Sequence, residues 1–203
     1  MTARSTLRTV RAFVAIPLPD EVHAALDGLQ RRLRRTCPER AVRWVPTRNI
    51  HLTTHFLGDI DPARIVPLEE ALSVVARNVP PFTVLAEGAG AFPNLRRPRV
   101  VWVGVTDASQ WLSLLHQVLS ESLEQLGFPR ETRPFSPHLT LGRIRRQTSP
   151  TEARAVGEAV AAAQIGPLGT VPVESLVLFK STLKPTGAAY SRLATLRLGK
   201  PEI

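Results

Sequence analysis

Two periodicities alternate along the chain, one of two residues and one of about 3.6, and the switches between them outline its elements. The apolar run within residues 8–16 predicts a first strand, closed by Pro17-Leu18-Pro19. Val22, Leu26, Leu29 and Leu33 then recur at helical spacing, which predicts a helix from an Asp20 N-cap to about Cys37. Arg43-Trp44-Val45 reads as a short strand, and alternation over 49–57 as another. Asp61-Pro62 has the form of a cap followed by a helix-opening proline, and the helix it starts runs to about Asn78, before Pro80-Pro81. Phe82–Phe92 and Arg99–Val105 read as strands around a Pro93–Pro98 turn. An amphipathic stretch from Asp107 to Leu126 ends at Gly127, and a strand follows at about 133–144. Ser149-Pro150 with Glu152 opens a helix through Ala163, and strands at about 172–181 and 189–198 flank the turn Lys184-Pro185-Thr186-Gly187. The order strand, helix, strand, helix, strand occurs roughly twice. That predicts an α+β protein of two pseudo-symmetric lobes, each an antiparallel sheet with outer helices, closing on a shared cleft.

The repetition extends to the residues themselves. His51-Leu52-Thr53 recurs as His138-Leu139-Thr140, 87 positions on, and each triplet lies in a strand-like setting closely followed by Gly. On a strand, His51 and Thr53 share one face, as do His138 and Thr140. His55 has the parity of His51 and could reach the mouth of the cleft, but solvent exposure is its expected fate. Phe56 and Arg143 stand five residues after their histidines and fall on the opposite face, unless bulges marked by Gly58 and Gly142 re-aim them.

Composition narrows the partner. Apolar residues make up 43% of the 203 and charged residues 21%, ordinary values for a globular chain. A net charge of +9, carried almost entirely by arginine, favours an anionic partner such as nucleic acid. The Arg31, Arg32, Arg34 and Arg35 cluster falls where a helix C-terminus welcomes cations, and reads as a solvated face. The single Cys37 rules out an intramolecular disulfide and a cysteine-rich zinc site. No apolar run approaches the roughly 20 residues of a membrane span, and the expected setting is cytoplasmic. His51 and His55 have the spacing of a helical zinc pair, but Leu-Thr-Thr between them favours a strand and no Glu follows His51. Neither a metal nor another cofactor is expected. Ser136 lacks the Gly-x-Ser-x-Gly setting of a nucleophile elbow. His23 and His116, on helical faces, read as structural.

Histidine gives and takes protons near neutrality. An in-line displacement at phosphorus needs a base on one side and an acid on the other, and two histidines supply both. A threonine hydroxyl beside each can hold a non-bridging oxygen.

His51-Leu52-Thr53-Thr54 and His138-Leu139-Thr140-Leu141 resemble the paired His-x-Thr-x motifs of the two-histidine (2H) phosphoesterase superfamily. Their flanks, Asn49-Ile50 with Phe56-Leu57-Gly58, and Phe135-Ser136-Pro137 with Gly142-Arg143, resemble the RNA 2′,3′-cyclic phosphodiesterases, a family first named for 2′-5′ RNA ligase activity. Arg11–Pro17 and Tyr190–Leu193 are similar to that family's first and last strands. The resemblance implies one bilobal domain over residues 1–203 that hydrolyses an RNA 2′,3′-cyclic phosphate to a 2′-phosphomonoester without metal. It makes His51 the proton donor to the leaving 3′-oxygen and His138 the base, with Thr53 and Thr140 on the phosphate, Arg143 as the basic residue of the second motif and Phe56 as a base-stacking aromatic. The expected partner is RNA or an oligonucleotide bearing the cyclic phosphate, and the expected state a monomer. Ligation of 2′-5′ ends, hydrolysis of small cyclic nucleotides, and RNA binding without catalysis are the competing readings. The last predicts loss of one of the four His and Thr positions, and all four are present.

Overall fold

The computed structural model describes residues 9–184 and 187–199. Its strands are β1 (Val10–Ile16), β2 (Val42–Trp44), β3 (Leu52–Ile60), β4 (Phe82–Phe92), β5 (Val100–Thr106), β6 (His138–Ile144), β7 (Pro167–Val173), β8 (Ser175–Lys184) and β9 (Gly187–Arg197). The α-helices are α1 (Asp20–Thr36), α2 (Ile65–Arg77), α3 (Trp111–Gln125) and α4 (Pro150–Ala162). Two antiparallel sheets result. One has the order β3-β1-β8-β9, the other β2-β6-β5-β4-β7.

Each sheet draws strands from both halves of the chain. β1 and β3 start the first sheet, and β8 and β9 return at the end of the chain to complete it; β4 crosses to the second sheet and lies between β5 and β7. The helices are exchanged too. α1 follows β1 yet packs against β7 and α4 of the second sheet, and α3 follows β5 yet packs against β3 and α2 of the first. The buried leucines at helical spacing, Leu26, Leu29 and Leu33 on α1 and Leu112, Leu115, Leu119 and Leu123 on α3, drive this docking. Burying a leucine side chain is worth roughly 1.5–3 kcal/mol, so these faces decide where the helices settle. The sheets meet where β3 approaches β6.

Several boundaries differ from the sequence expectation. Asp20 is the first residue of α1, not its cap; Pro19 holds that position, and Asp20 and Glu21 instead put negative charge in the first turn. Asp61 does cap, its carboxylate accepting from Ala63 N at 2.9 Å, but the turn it caps is a 3-10 segment, Pro62–Arg64, that leads into α2. Asp107 precedes its helix by four residues and reaches forward to accept from Leu112 N at 2.7 Å. The Ser149–Glu152 capping box is present. β7 is a separate strand that the sequence does not predict; Glu174 separates it from β8, within the stretch expected to form one strand at about 172–181. Pro185 and Thr186 of the expected final turn lie outside the described residues.

β2 is short, and a helix side chain fixes it. Gln30 of α1, almost wholly buried, donates from Nε2 to the carbonyls of Val45 at 2.8 Å and Leu141 at 3.0 Å. Val45 N donates to the same Leu141 carbonyl at 2.9 Å. Replacing Gln30 by Leu removes both side-chain bonds and leaves Val45 O without this donor, a loss of about 1–3 kcal/mol. Urea unfolding of Gln30→Leu is expected to show that decrease at an unchanged m-value; wild-type stability would mean the amide contributes nothing net.

Candidate active site

Both triplets approach their strands in the same way, and both strands then carry the same irregularity. Along β3, Ala15 of β1 faces Thr53 and Val14 faces His55, so Thr54 is an extra residue. Along β6, Trp102 of β5 faces Thr140 and Val101 faces Gly142, so Leu141 is extra. These are bulges, and each reverses the alternation beyond it. Phe13 faces Phe56 and Val100 faces Arg143. Since Phe13 shares a face with Ala15, and Val100 with Trp102, Phe56 lies on the face of Thr53 and Arg143 on the face of Thr140.

Phe56 and Arg143 thus escape strict alternation; Gly142 does mark the bulge that re-aims Arg143, following it directly, whereas the bulge that re-aims Phe56 lies at Thr54 and not at Gly58. Gly58, at φ 72°, follows a second irregularity at Leu57 that lies beyond Phe56. Gly142 follows its bulge and serves packing, because a Cβ there would come within 2.6 Å of Val42 Cγ1. The first bulge also corrects the placement of His55, which turns away from the face of His51 and is half-buried instead of exposed. Its Nε2 lies 2.8 Å from Ser120 Oγ of α3, and its ring stacks on His116 at 4.5 Å. His116 in turn stacks on Phe135 at 3.9 Å, so His55 and His116 brace the segment that leads to His138.

His51 precedes β3 by one residue, and His138 is the first residue of β6. Around His51 the structure places Phe13, stacked at 4.7 Å, Phe179 at 5.8 Å, and Tyr190 edge-on at 5.2 Å. Phe92 meets the His138 ring edge-on at 4.9 Å and lies 5.2 Å from Trp102. The sequence reading does not single these aromatics out as site residues. Their signal is alternation: Phe13 alternates with the core residues Ala12, Val14 and Ile16 of β1, and Trp102 alternates with buried Val101 and Val103. Thr53 and Thr140 are half-buried, Arg143 is exposed, and Phe56 is 76% exposed, an unusual fate for a phenyl ring.

Ring orientation is set locally. His138 Nδ1 donates to the Ser136 carbonyl at 2.7 Å, which leaves Nε2 as the free nitrogen. Burial lowers the His138 pKa, the Ser136 bond opposes that, and the Arg143 charge adds to the lowering. At His51 burial brings the pKa down to about 4; the Asn49 backbone acts upward, and His23 adds to the fall. Asn49 and Ser136 are counterparts, each two residues before its histidine, and Asn49 Nδ2 donates to Ala188 O at 2.8 Å, which ties this approach to β9. The Tyr190 hydroxyl is raised by burial, while Arg143 and Arg11 act to lower it. Tyr190 stands beside His51, and it lies within electrostatic reach of Arg143 on the strand of His138.

Elsewhere, three of the four arginines of the α1 cluster have structural partners. Arg31 pairs with Asp27 at 3.3 Å, Arg32 donates to Ala163 O at 2.9 Å, and Arg34 lies over Trp44 at 5.5 Å. Cys37 is half-buried. No described helix is long and apolar enough to cross a membrane, and among the described residues no three of His, Cys, Asp and Glu gather closely enough to hold a metal ion.

The family model described as LigT like Phosphoesterase matches the chain twice, over residues 16–102 and 103–190. The chain belongs to the LigT-like phosphoesterase family. The starts of the two matches, Ile16 and Val103, are 87 positions apart, the spacing of the two histidines. The RNA 2′,3′-cyclic phosphodiesterase of Archaeoglobus fulgidus is 33% identical over 184 residues, 91% of this LigT-like chain and 98% of that protein. The protein of that name from Geobacillus stearothermophilus is 30% identical over 94% of this chain, which spans 58% of its length. Among solved structures, TT0787 of Thermus thermophilus superposes with a TM-score of 0.75 at 32% identity, covering 95% of this chain and all of that one. Escherichia coli LigT complexed with 3′-AMP gives 0.70 at 28% identity, over 94% of this chain and 99% of the other.

The depressed histidines carry a stability consequence. His51 and His55 titrate near 4 when folded, against a usual 6.5. Between those values the unfolded chain binds more protons than the folded one, so stability is present above about 6.5 and is lost as pH falls toward 4. His55→Gln removes one such group away from the triplet face. Its unfolding free energy is expected to depend less steeply on pH across that window, by up to about one proton; an unchanged slope would refute the buried, neutral state of His55.

Proposed function

We propose that this protein hydrolyses RNA 2′,3′-cyclic phosphodiesters to 2′-phosphomonoesters by acid–base catalysis between His51 and His138. The observation that carries the reading is the repeated, bulged His-x-Thr unit, each copy with a half-buried imidazole and a threonine on one face. The names of the relatives, RNA 2′,3′-cyclic phosphodiesterase, and the nucleotide bound to E. coli LigT point to the same substrate class.

In this reading His138 Nε2 takes a proton from a water that attacks phosphorus. The phosphorus–3′-oxygen bond breaks on the far side, and His51 protonates the departing oxygen. Thr53 and Thr140 donate to the non-bridging oxygens, Arg143 offsets the charge that develops on them, and exposed Phe56 stacks on the terminal base. Proton transfer by a positioned group contributes about 10²–10⁴-fold, and the step requires no metal.

The low histidine pKa values fit a site built for an anion. A free imidazole near 4 is a poor acid at neutral pH because little of it is charged. A bound phosphate next to it favours the imidazolium and raises the value.

His51→Ala and His138→Ala are each expected to cut kcat on a 2′,3′-cyclic-phosphate oligonucleotide by about 10²–10⁴-fold while the circular dichroism spectrum is retained. The wild-type product should be the 2′-phosphate, formed equally in EDTA. A joined 2′-5′ product would support ligation instead, and activity abolished by EDTA would defeat the metal-free step.

The pH profiles should separate as well. kcat/KM reports the free enzyme and kcat the complex, so the kcat optimum is expected at higher pH than that of kcat/KM. Coincident profiles would mean that bound phosphate does not raise the acid.

A further inference from the structure

We infer that Arg43, beside Arg143, binds the phosphate on the 5′ side of the nucleotide whose cyclic phosphate is cleaved, which makes the preferred substrate a dinucleotide or longer. This rests on the phosphodiesterase reading above and assigns a second phosphate position to the same site.

Register places it. Arg43 of β2 is directly opposite Arg143 of β6, and Val100 of β5 lies opposite Arg143 on its other side. Paired residues share a face, so Arg43 belongs to the face of Thr140, one strand farther from β5 than Arg143. Its neighbours point the other way. Val42 is buried, and both Val42 and Trp44 close on the space that Gly142 leaves by lacking a Cβ. With Arg34 over the Trp44 ring and Gln30 holding Val45, β2 is seated firmly and Arg43 has only the exposed face to occupy.

The arrangement has a physical cost that the protein alone does not offset. Like charges directly opposite on antiparallel strands destabilise the pair. The ion pairs among the described residues use Arg31, Arg130, Arg133 and Arg154, and no described carboxylate pairs with Arg43 or Arg143. An anionic chain laid across both would neutralise the repulsion, and guanidinium matches phosphate geometry. Arg143 neighbours His138 closely enough to lower its pKa, so it serves the reacting phosphate. Arg43, displaced outward by the spacing of one strand, serves the next. Phe56 occupies the counterpart of Arg143 in the other half, so the base has its own platform and does not compete for this track.

The test compares a nucleoside 2′,3′-cyclic phosphate, which has no 5′ phosphate, with a dinucleotide ending in the same cyclic group. In wild type the dinucleotide should have the higher kcat/KM and the steeper fall with salt. In Arg43→Gln the ratio of the two values is expected to drop about five- to tenfold and the salt dependence of the dinucleotide to flatten, with partial recovery in Arg43→Lys. The ratio is independent of how much variant folds. An unchanged ratio would overturn the assignment. If wild type cleaves neither compound, the phosphodiesterase reading fails on its own account. Arg43 is then judged by fluorescence anisotropy with a labelled dinucleotide ending in a 2′-phosphate, where equal affinity for wild type and Arg43→Gln overturns it and weaker binding by the variant sustains it.

Discussion

One extra residue in each of two strands decides which side chains share a face with the histidines. Were Thr54 paired in regular alternation, β3 would turn Phe56 toward the helices and bring His55 to the face of Thr53; were Leu141 paired so, β6 would turn Arg143 inward. A bulge leaves backbone groups that the ladder does not satisfy, so it persists only where something else bonds to them. Here each is secured differently. The Thr54 hydroxyl donates to Val14 O at 3.1 Å, across the very pairing that the bulge disturbs. At the second bulge, the Leu141 carbonyl accepts from Gln30 Nε2 and from Val45 N. Geometry on the outer, helical side of the sheets therefore controls what is presented on the opposite face.

The exchange of elements between halves serves the same end. Because α1 leaves the first sheet to pack on the second, its Gln30 can reach β6; because α3 leaves the second sheet to pack on the first, its Ser120 and His116 can hold His55 behind β3. Each triplet strand is thus buttressed from behind by a helix that follows a strand of the other sheet. Buttressing from opposite halves couples the two histidine positions to one cooperative core, so neither half could settle its own triplet alone.

Much of this is legible in the sequence. Periodicity locates the four α-helices and most strands, and the 87-residue repeat of His-Leu-Thr identifies the duplication without coordinates. What is not legible depends on tertiary pairing. Strand parity is a local count, whereas a bulge is specified by the partner strand and by donors as distant as Gln30. Local counting therefore puts His55 on the wrong face and points to Gly58 for an irregularity that falls at Thr54. The break at Glu174 escapes it because buried apolar positions lie on both sides, Val171 and Val173 before it and Leu176 and Leu178 after, and a single polar pair between apolar segments does not disclose where a chain leaves one sheet for another. The exchange of helices has no local signature at all.

The duplication also poses a chemical question that the side chains answer. In the proposed reaction the two halves supply an acid and a base from equivalent backbone positions, but the cyclic phosphate proposed as substrate has no such symmetry: one side carries a base and the other continues as an anionic chain. The counterpart positions after the two bulges are where the halves part, with Phe56 in the first and Arg143 in the second. Both side chains are exposed and lie on the faces of Thr53 and Thr140, so the difference is presented to a ligand and not absorbed by packing. A phenyl ring offers a stacking surface and no charge, whereas a guanidinium offers charge and directed donors. β2 extends this difference, since it lines only the second half's strand and brings Arg43 next to Arg143. On the proposed reading, the backbone repeat sets where protons are transferred, and the residues that break the repeat set which way round the substrate lies.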